Sequence, residues 1–103
     1  MRRGEVWWAS LSPPAGRRPV VLLSRDSSYE IRELVMVAPI TSRIRRIASE
    51  VPLGEMEGMP WACVINVDTI TTVSKACLES KLTTLSPGKI RELNAAVRFA
   101  LGF

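Results

Sequence analysis

GRRPVVLLS at residues 16–24 and VMVAPITS at residues 35–42 are the two stretches that decide the fold. Each contains an apolar run typical of a buried strand, with Arg18 just before the first run and Thr41 just after the second. In an antiparallel pair, the start of one strand lies beside the end of its neighbour. The pattern therefore predicts that a guanidinium and a hydroxyl meet at one edge of a small sheet, in an arrangement suited to a phosphodiester.

The composition predicts one small, mildly basic domain. The chain has 103 residues, of which 47% are hydrophobic, and 14 Lys and Arg against 10 Asp and Glu give a net charge of +4. This length predicts a single domain over residues 1–103. The positive charge suits either solubility alone or binding to a polyanion.

The chemistry-bearing residue types exclude several kinds of site. The chain has no histidine, which removes the commonest general base and metal ligand, so we expect no metal site. Cys63 and Cys77 do not have zinc-binding spacing, and we expect them to pack as small apolar groups in a reducing compartment. The longest apolar run, Leu34–Ile40, is too short to span a bilayer, so a cytoplasmic protein without a membrane anchor is expected.

Hydrophobic periodicity predicts several short strands followed by one helix. Unbroken apolar residues after Pro19 predict that both faces of the second strand are covered. A polar helical turn over 25–32 is expected to be capped by Asp26 or Ser27. The predicted strands are 5–11, 19–23, 33–41, 49–53, 61–68, 69–73 and 76–82.

A C-terminal helix is predicted from Ser86 as N-cap and Pro87 at the first helical position to Gly102 at the end. Its predicted buried face consists of Ile90, Leu93, Val97, Ala100 and Leu101. No strand–helix–strand alternation occurs, which disfavours a parallel doubly wound sheet. The expected fold class is mainly β (α+β), as a strongly bent antiparallel sheet or partly open barrel with one helix.

Four motifs together resemble the MazF/PemK (Kid-like) toxins of bacterial toxin–antitoxin systems. They occur in the family's order and cover nearly the whole chain: RGEVW at 3–7, RPVVL at 18–22, VAPITS at 37–42 and CVINVDTI at 63–70. The resemblance implies an SH3-like barrel of the CcdB/PemK type that forms a homodimer. Most members are ribonucleases that cut single-stranded RNA at short motifs without a metal or cofactor.

The resemblance also implies a partner and two site residues. A cognate, MazE-like antitoxin blocks the RNA groove with a disordered tail that folds on binding. The family's catalytic Arg falls on Arg18, and its catalytic Thr or Ser falls on Thr41. One departure is the short segment 12–17, which lacks the carboxylate that many members carry in this loop.

The chemistry expected from such a site is internal transesterification, in which the RNA's own 2′-hydroxyl attacks the adjacent phosphorus. The enzyme then supplies positioning and charge stabilisation, and the products are a 2′,3′-cyclic phosphate and a 5′-hydroxyl. DNA has no 2′-hydroxyl, so it is excluded as a substrate for this cleavage reaction. Arg18 is a poor base, so Glu50, Asp68 and solvent remain open as acceptors of the 2′ proton.

Further residues are candidates for RNA binding. Arg43, Arg45 and Arg46 form either a phosphate-binding loop or a solvated basic loop. Arg17 is a second phosphate contact or a solvated charge. The remaining candidates, which also suit turns and strand ends, are Ser24, Ser42, Asp68 and Thr69.

The three tryptophans are weaker candidates for the same groove. Trp7, Trp8 and Trp61 could stack on unpaired bases, although packing in the core or an interface is favoured. If the first strand is regular, adjacent Trp7 and Trp8 lie on opposite faces of the sheet.

Two alternatives to a ribonuclease remain. One is a non-enzymatic toxin of the same fold that poisons a protein target such as DNA gyrase. The other is a catalytically silent module that binds RNA or an antitoxin.

Overall fold

The sheet is built around β3 (Leu34–Thr41), which pairs with three other strands. In the computed structural model, which describes all 103 residues, the first half of β3 pairs with β6 (Thr71–Ser74) and its middle with β2 (Arg17–Leu22). Its last two residues pair with β5 (Cys63–Asn66). Every pairing is antiparallel, and the last of the residues paired with β2 is Pro39. The sheet therefore divides at Pro39, beside Thr41.

The remaining strands extend this sheet on both sides. β1 (Glu5–Ser10) pairs with β2 and with β7 (Leu78–Thr84), and β4 (Glu50–Leu53) pairs with β5. The strand order is β4-β5-β3-β2-β1-β7, with β6 pairing on β3. Two register shifts between β1 and β7 mark irregularities of the kind that bend a strand. The predicted bent antiparallel sheet with a C-terminal helix is confirmed.

Two apolar clusters lie on opposite faces of β2. Val21 belongs to a larger cluster that includes Leu93 of the C-terminal helix, whereas Val20 and Leu22 belong to a smaller one with Tyr29. All three β2 residues are fully buried, which confirms that both faces of this strand are covered. Cys63 packs in the larger cluster, and both cysteines are free.

The C-terminal helix, α2 (Pro87–Leu101), begins and ends as predicted. The Ser86 hydroxyl accepts a hydrogen bond from the Lys89 backbone N–H (3.2 Å), and Gly102 ends the helix in the left-handed region (φ 79°). The predicted buried face is wrong at Leu101, which is 57% exposed, because the buried stripe of α2 is centred on Leu93, Ala96 and Ala100 and Leu101 lies at its flank. Neither helix has the length and apolar character that crossing a bilayer requires.

Local hydrogen bonds shift several predicted boundaries. Ser27 precedes the single-turn α1 (Ser28–Ile31) without a side-chain capping bond, and Asp26 instead accepts the Arg3 N–H (2.7 Å). The strand predicted over 61–68 is shorter, because residues 67–69 form a 3₁₀ turn in which the Asn66 side chain accepts the Asp68 N–H. A second 3₁₀ turn over 75–77 delays the start of β7.

Gly4, just before β1, is bonded both to the last residue of β2 and to the residue that follows β7. Its N–H donates to the Leu22 carbonyl (2.8 Å), and its carbonyl accepts the Leu85 N–H (3.0 Å). Its φ of 90° disfavours any residue with a side chain, and a Cβ atom here would displace the terminal methyl of Ile90 from its place on α2.

Replacement of Gly4 by alanine is expected to lower the free energy of unfolding by about 1–3 kcal/mol, because backbone strain and the clash with Ile90 act together. Urea denaturation measures the loss. Gly16→Ala is the matched control, because Gly16 also has positive φ (65°), but a Cβ added there would meet no heavy atom within 4 Å. Equal losses in the two variants would contradict a contribution from the close approach to α2.

Candidate functional site

A hollow of about 260 Å³ lies where β2 begins and β3 ends, and we call it the central hollow. Val20 pairs with Pro39, so the same register continued by two residues places Arg18 opposite Thr41. Two residues along a strand return to the same face, so both side chains lie on one side of the sheet. The lining residues are Arg18, Pro39, Thr41, Arg43, Arg45, Asn66 and Thr69.

Arg18 and Thr41 are each anchored by one atom and free at another. Arg18 Nε donates to the Ala15 carbonyl (3.0 Å), and its two terminal nitrogens make no hydrogen bond within the chain. The Thr41 Oγ1 accepts the Arg43 N–H (3.1 Å), which leaves its own proton available. The hollow therefore offers a planar guanidinium edge and a hydroxyl donor to an anionic group.

Glu50 organises the basic loop beside this hollow. The Glu50 side chain is 2% exposed, and its carboxylate accepts hydrogen bonds from the N–H groups of Arg45 (2.9 Å) and Arg46 (3.0 Å) and from Arg45 Nε (2.9 Å). Burial alone would raise the pKa of Glu50, but the hydrogen bonds from the Arg45 side chain and from both backbone N–H groups bring it below the ordinary value. The bonds hold Arg45 in the lining and occupy the carboxylate.

Two further hollows adjoin the central one, and Arg18 lines all three. The first, of about 320 Å³, we call the aromatic hollow; its lining is Trp8, Arg17, Arg18, Pro19, Ile40, Thr41, Ser42 and Trp61. The second, of about 360 Å³, we call the loop hollow; its lining is Leu11, Ser12, Ala15, Arg18, Pro39, Thr69, Thr71, Thr72 and Val73. The three hollows meet at Arg18, and we call them together the groove.

Trp8 and Trp61 lie in the aromatic hollow, whereas Trp7 does not. The Trp8 and Trp61 ring centroids are 6.4 Å apart at an interplanar angle of 58°, and the Arg17 guanidinium lies 4.2 Å from the Trp8 centroid. Trp7 packs against the smaller apolar cluster, and its Nε1 donates to Glu5 (2.9 Å). The prediction that Trp7 and Trp8 lie on opposite faces is confirmed.

Seven of the ten predicted site residues line this groove. Arg18, Thr41, Arg43, Arg45 and Thr69 share the central hollow, and Arg17 and Ser42 line the aromatic hollow. Arg17 also forms an ion pair with Glu79, with Nε 2.7 Å from the carboxylate.

Ser24, Arg46 and Asp68 are not brought to the groove. Ser24 is buried, and its hydroxyl accepts the Met36 N–H (2.8 Å). In an extended chain it lies about 20 Å beyond Arg18. Arg46 lines none of the three hollows, and its positive φ (58°) belongs to the turn closed by Glu50. Asp68 accepts a hydrogen bond from the Ser49 hydroxyl (2.5 Å) and is also absent from the lining.

Asn66 is a lining residue that sequence reasoning did not select. Its side chain donates to Thr69 (3.0 Å) and accepts the Asp68 N–H (3.1 Å), which fixes it at the end of β5. A polar residue directly after the buried run Cys63–Ile65 was the available signal. No group of three or more Cys, Asp or Glu side chains is arranged to hold a metal ion.

Comparison with known proteins places the chain in a family. A family model described as "PemK-like, MazF-like toxin of type II toxin-antitoxin system" matches residues 2–101. The probable endoribonuclease MazF5 of Mycobacterium tuberculosis is 39% identical over 100 residues, with 96% of this chain and 91% of that protein covered.

Solved structures share the fold over nearly the whole chain. The Mycobacterium tuberculosis toxin MazF-mt6 has a TM-score of 0.89 at 27% identity, covering 96% of this chain and 97% of that one. An endoribonuclease in complex with its cognate antitoxin from a mycobacterial species also has a TM-score of 0.89, at 24% identity, covering 100% and 96%. Because the family model spans almost every residue and the curated relative is similar over its length, this chain belongs to the PemK-like, MazF-like toxins of type II toxin–antitoxin systems.

Proposed function

We propose that this toxin is a sequence-specific endoribonuclease that cuts single-stranded RNA and needs no metal or cofactor. The observation that carries the proposal is the convergence of Arg18 and Thr41 on the central hollow, each with a free hydrogen-bond donor. The name of the 39% identical relative, a probable endoribonuclease, supports the same reaction class.

The reaction balances without a nucleophile from the protein. The 2′-oxygen of the RNA forms a bond to the adjacent phosphorus, and the bond from that phosphorus to the 5′-oxygen breaks. Arg18 binds the non-bridging oxygens as negative charge develops on them, and the Thr41 hydroxyl donates a further hydrogen bond. The products are a 2′,3′-cyclic phosphate and a 5′-hydroxyl.

The arrangement of carboxylates supports solvent, rather than Glu50 or Asp68, as the carrier of the proton transfers in this proposal. Glu50 accepts three hydrogen bonds from the basic loop, and Asp68 accepts the Ser49 hydroxyl and lies outside the hollows. No carboxylate lines the central hollow. Water therefore takes the 2′ proton and returns one to the leaving 5′-oxygen, which is compatible with a rate set by positioning and charge stabilisation.

The partners follow from the family and from the groove. Residues 1–103 act as one toxin domain, in the cytoplasm, where a type II toxin meets both its RNA and its antitoxin. The positively charged lining suits an antitoxin tail that is disordered when free and folds on binding. We further propose that the active form is a homodimer.

Loss of either central side chain is expected to slow RNA cleavage strongly. Arg18→Ala and Thr41→Ala should each reduce the rate by about 10²–10³-fold, because each removes a donor to developing charge. The measurement is cleavage of single-stranded RNA in EDTA, with the fragment ends mapped to identify the cut site and the cyclic phosphate.

Conservative variants are the matched controls. Thr41→Ser restores the hydroxyl and should recover most of the activity, whereas Arg18→Lys keeps the charge but loses the planar fork and should recover little. Undiminished cleavage by both alanine variants would contradict the assigned site. Absence of RNA cleavage by the wild-type toxin, with inhibition of gyrase supercoiling, would favour the non-enzymatic alternative.

Arg43 is expected to contribute one phosphate contact to binding. The affinity for a single strand should fall with salt, and Arg43→Ala should make the slope of log affinity against log salt shallower by about 0.7. Fluorescence anisotropy of an RNA with a 2′-deoxyribose at the mapped cut site measures the slope. Arg98→Ala, which changes an arginine of α2 outside the hollows, is the control and should leave the slope unchanged; equal slopes for wild type and Arg43→Ala would contradict the contact.

The Glu50 carboxylate is expected to give the fold an acid-sensitive contribution. Because its folded-state pKa lies below the ordinary value of 4.5, this stabilisation is present above that value and is lost as the pH falls through the folded-state pKa. Glu50→Gln should lower the free energy of unfolding at pH 7 by about 1–3 kcal/mol and should flatten its fall below pH 4.5.

Urea denaturation between pH 3 and 7, a range that spans the ordinary pKa of a glutamate side chain, measures both effects. Glu55→Gln is the matched control, because Glu55 is exposed and makes no side-chain hydrogen bond. An identical acid profile for Glu50→Gln and the wild type would contradict the role of this carboxylate.

A further inference from the structure

Trp61 is the large aromatic side chain that the fold leaves open beside the reaction centre. It is 44% exposed, and it stands two residues before β5 in the segment that connects β4 to β5. Its aromatic neighbour is Trp8, which meets it at a tilt of 58° rather than face to face. A tilted pair of this kind leaves ring surface uncovered.

Trp61 belongs to a cluster that also contains Trp8 and Arg17. The Arg17 guanidinium covers one face of Trp8 at 4.2 Å, and Glu79 fixes that guanidinium through its Nε (2.7 Å). Arg17 therefore stacks on Trp8, and Trp8 in turn contacts Trp61. The two rings and the guanidinium form one cluster beside which a flat ligand can stack.

The aromatic hollow also contains the two residues proposed to act on the phosphate. Arg18 and Thr41 line it together with Trp8 and Trp61. A ligand that presents both an aromatic ring and a neighbouring phosphate matches this lining, and an unpaired nucleotide of a single strand has both.

From this geometry we propose that Trp61, supported by Trp8 and Arg17, is a stacking subsite for the nucleobase next to the cleaved phosphate. The inference rests on the proposed function and deepens it by assigning one base position of the RNA. Stacking on an aromatic face tolerates any base, so the subsite positions the strand rather than reading a particular base.

The test compares two ligands that differ only in their bases. One is a 2′-deoxyuridine octamer, which cannot be cleaved through a 2′-hydroxyl, and the other is an octamer of abasic deoxyribose phosphate with the same charge. The wild-type toxin should bind the deoxyuridine octamer at least about fivefold more tightly, and this octamer alone should quench the tryptophan fluorescence.

Variants then locate the stacked base. Trp61→Ala should remove most of the difference between the two octamers, and Trp61→Phe should retain much of it. Phe99→Ala is the matched control, because Phe99 is a 65% exposed aromatic residue on α2, and it should leave the difference unchanged. Circular dichroism establishes that each variant is folded. The comparison of the two octamers on the wild-type toxin tests the subsite even if a variant fails to fold.

The outcomes separate this inference from the proposed function. An equal preference in the wild type and Trp61→Ala, or no preference in the wild type, would overturn the subsite. The subsite would also be overturned if Trp61→Ala changed only the oligomeric state or only the binding of an acidic antitoxin peptide. If the base preference depends on Trp61 but no RNA is cut, base stacking on Trp61 holds, whereas the ribonuclease proposal and the assignment of that base to a cleaved phosphate fail.

Discussion

The register between β2 and β3 is the constraint on which the rest of the site depends. Slipping the pair by one residue would turn Arg18 to the other face of the sheet, away from Thr41. Apolar burial alone specifies this register weakly, because both faces of β2 are buried. The additional constraint lies at the far end of the strand, where the Ser24 hydroxyl accepts the Met36 N–H, and the Leu23 N–H donates to the Met36 carbonyl (2.9 Å). Ser24, predicted to contact RNA, thus acts in the structure to fix the register.

Some arginines of the groove are paired with a carboxylate, whereas Arg18 is not. Arg45 is bound by Glu50, and Arg17 by Glu79, so their partners offset part of each charge. Arg18 is held only through Nε, by a neutral carbonyl, and its outer edge faces the hollow with its full charge. Preorganised cations of this kind need no reorganisation when charge develops on a substrate, which is the condition for strong electrostatic stabilisation.

The strands with apolar runs and the capped C-terminal helix could be predicted from the sequence. Side-chain positions that depend on contacts between distant parts of the chain could not. Arg18 and Thr41 could be placed together because each stands at the end of an apolar run, and antiparallel pairing joins such ends. The partner of Ser24 could not be predicted, since its hydroxyl bonds to a strand that is distant in the chain. Leu101 fits the helical period of α2, but periodicity does not state how wide the buried stripe is, and Leu101 lies at its flank. Trp61 precedes its strand, so no repeat pattern indicated that it meets Trp8.

The two sides of Arg18 differ in chemistry, and this difference bears on how a strand of RNA would lie in the groove. The aromatic hollow combines tryptophan rings with the cation of Arg17, whereas Arg18 is the sole charged residue of the loop hollow, which is otherwise formed by small apolar and hydroxyl side chains such as Thr71 and Thr72. The short segment 12–17 contributes Ser12 and Ala15 to this second side and no carboxylate. A strand crossing Arg18 would therefore meet tryptophan rings together with the hydroxyl groups of Thr41 and Ser42 on one side, and hydroxyl groups without a ring on the other. Because rings stack on any base while hydroxyl groups bond to particular base edges, stacking would position the strand and selection among sequences would depend on the hydroxyl groups of both sides.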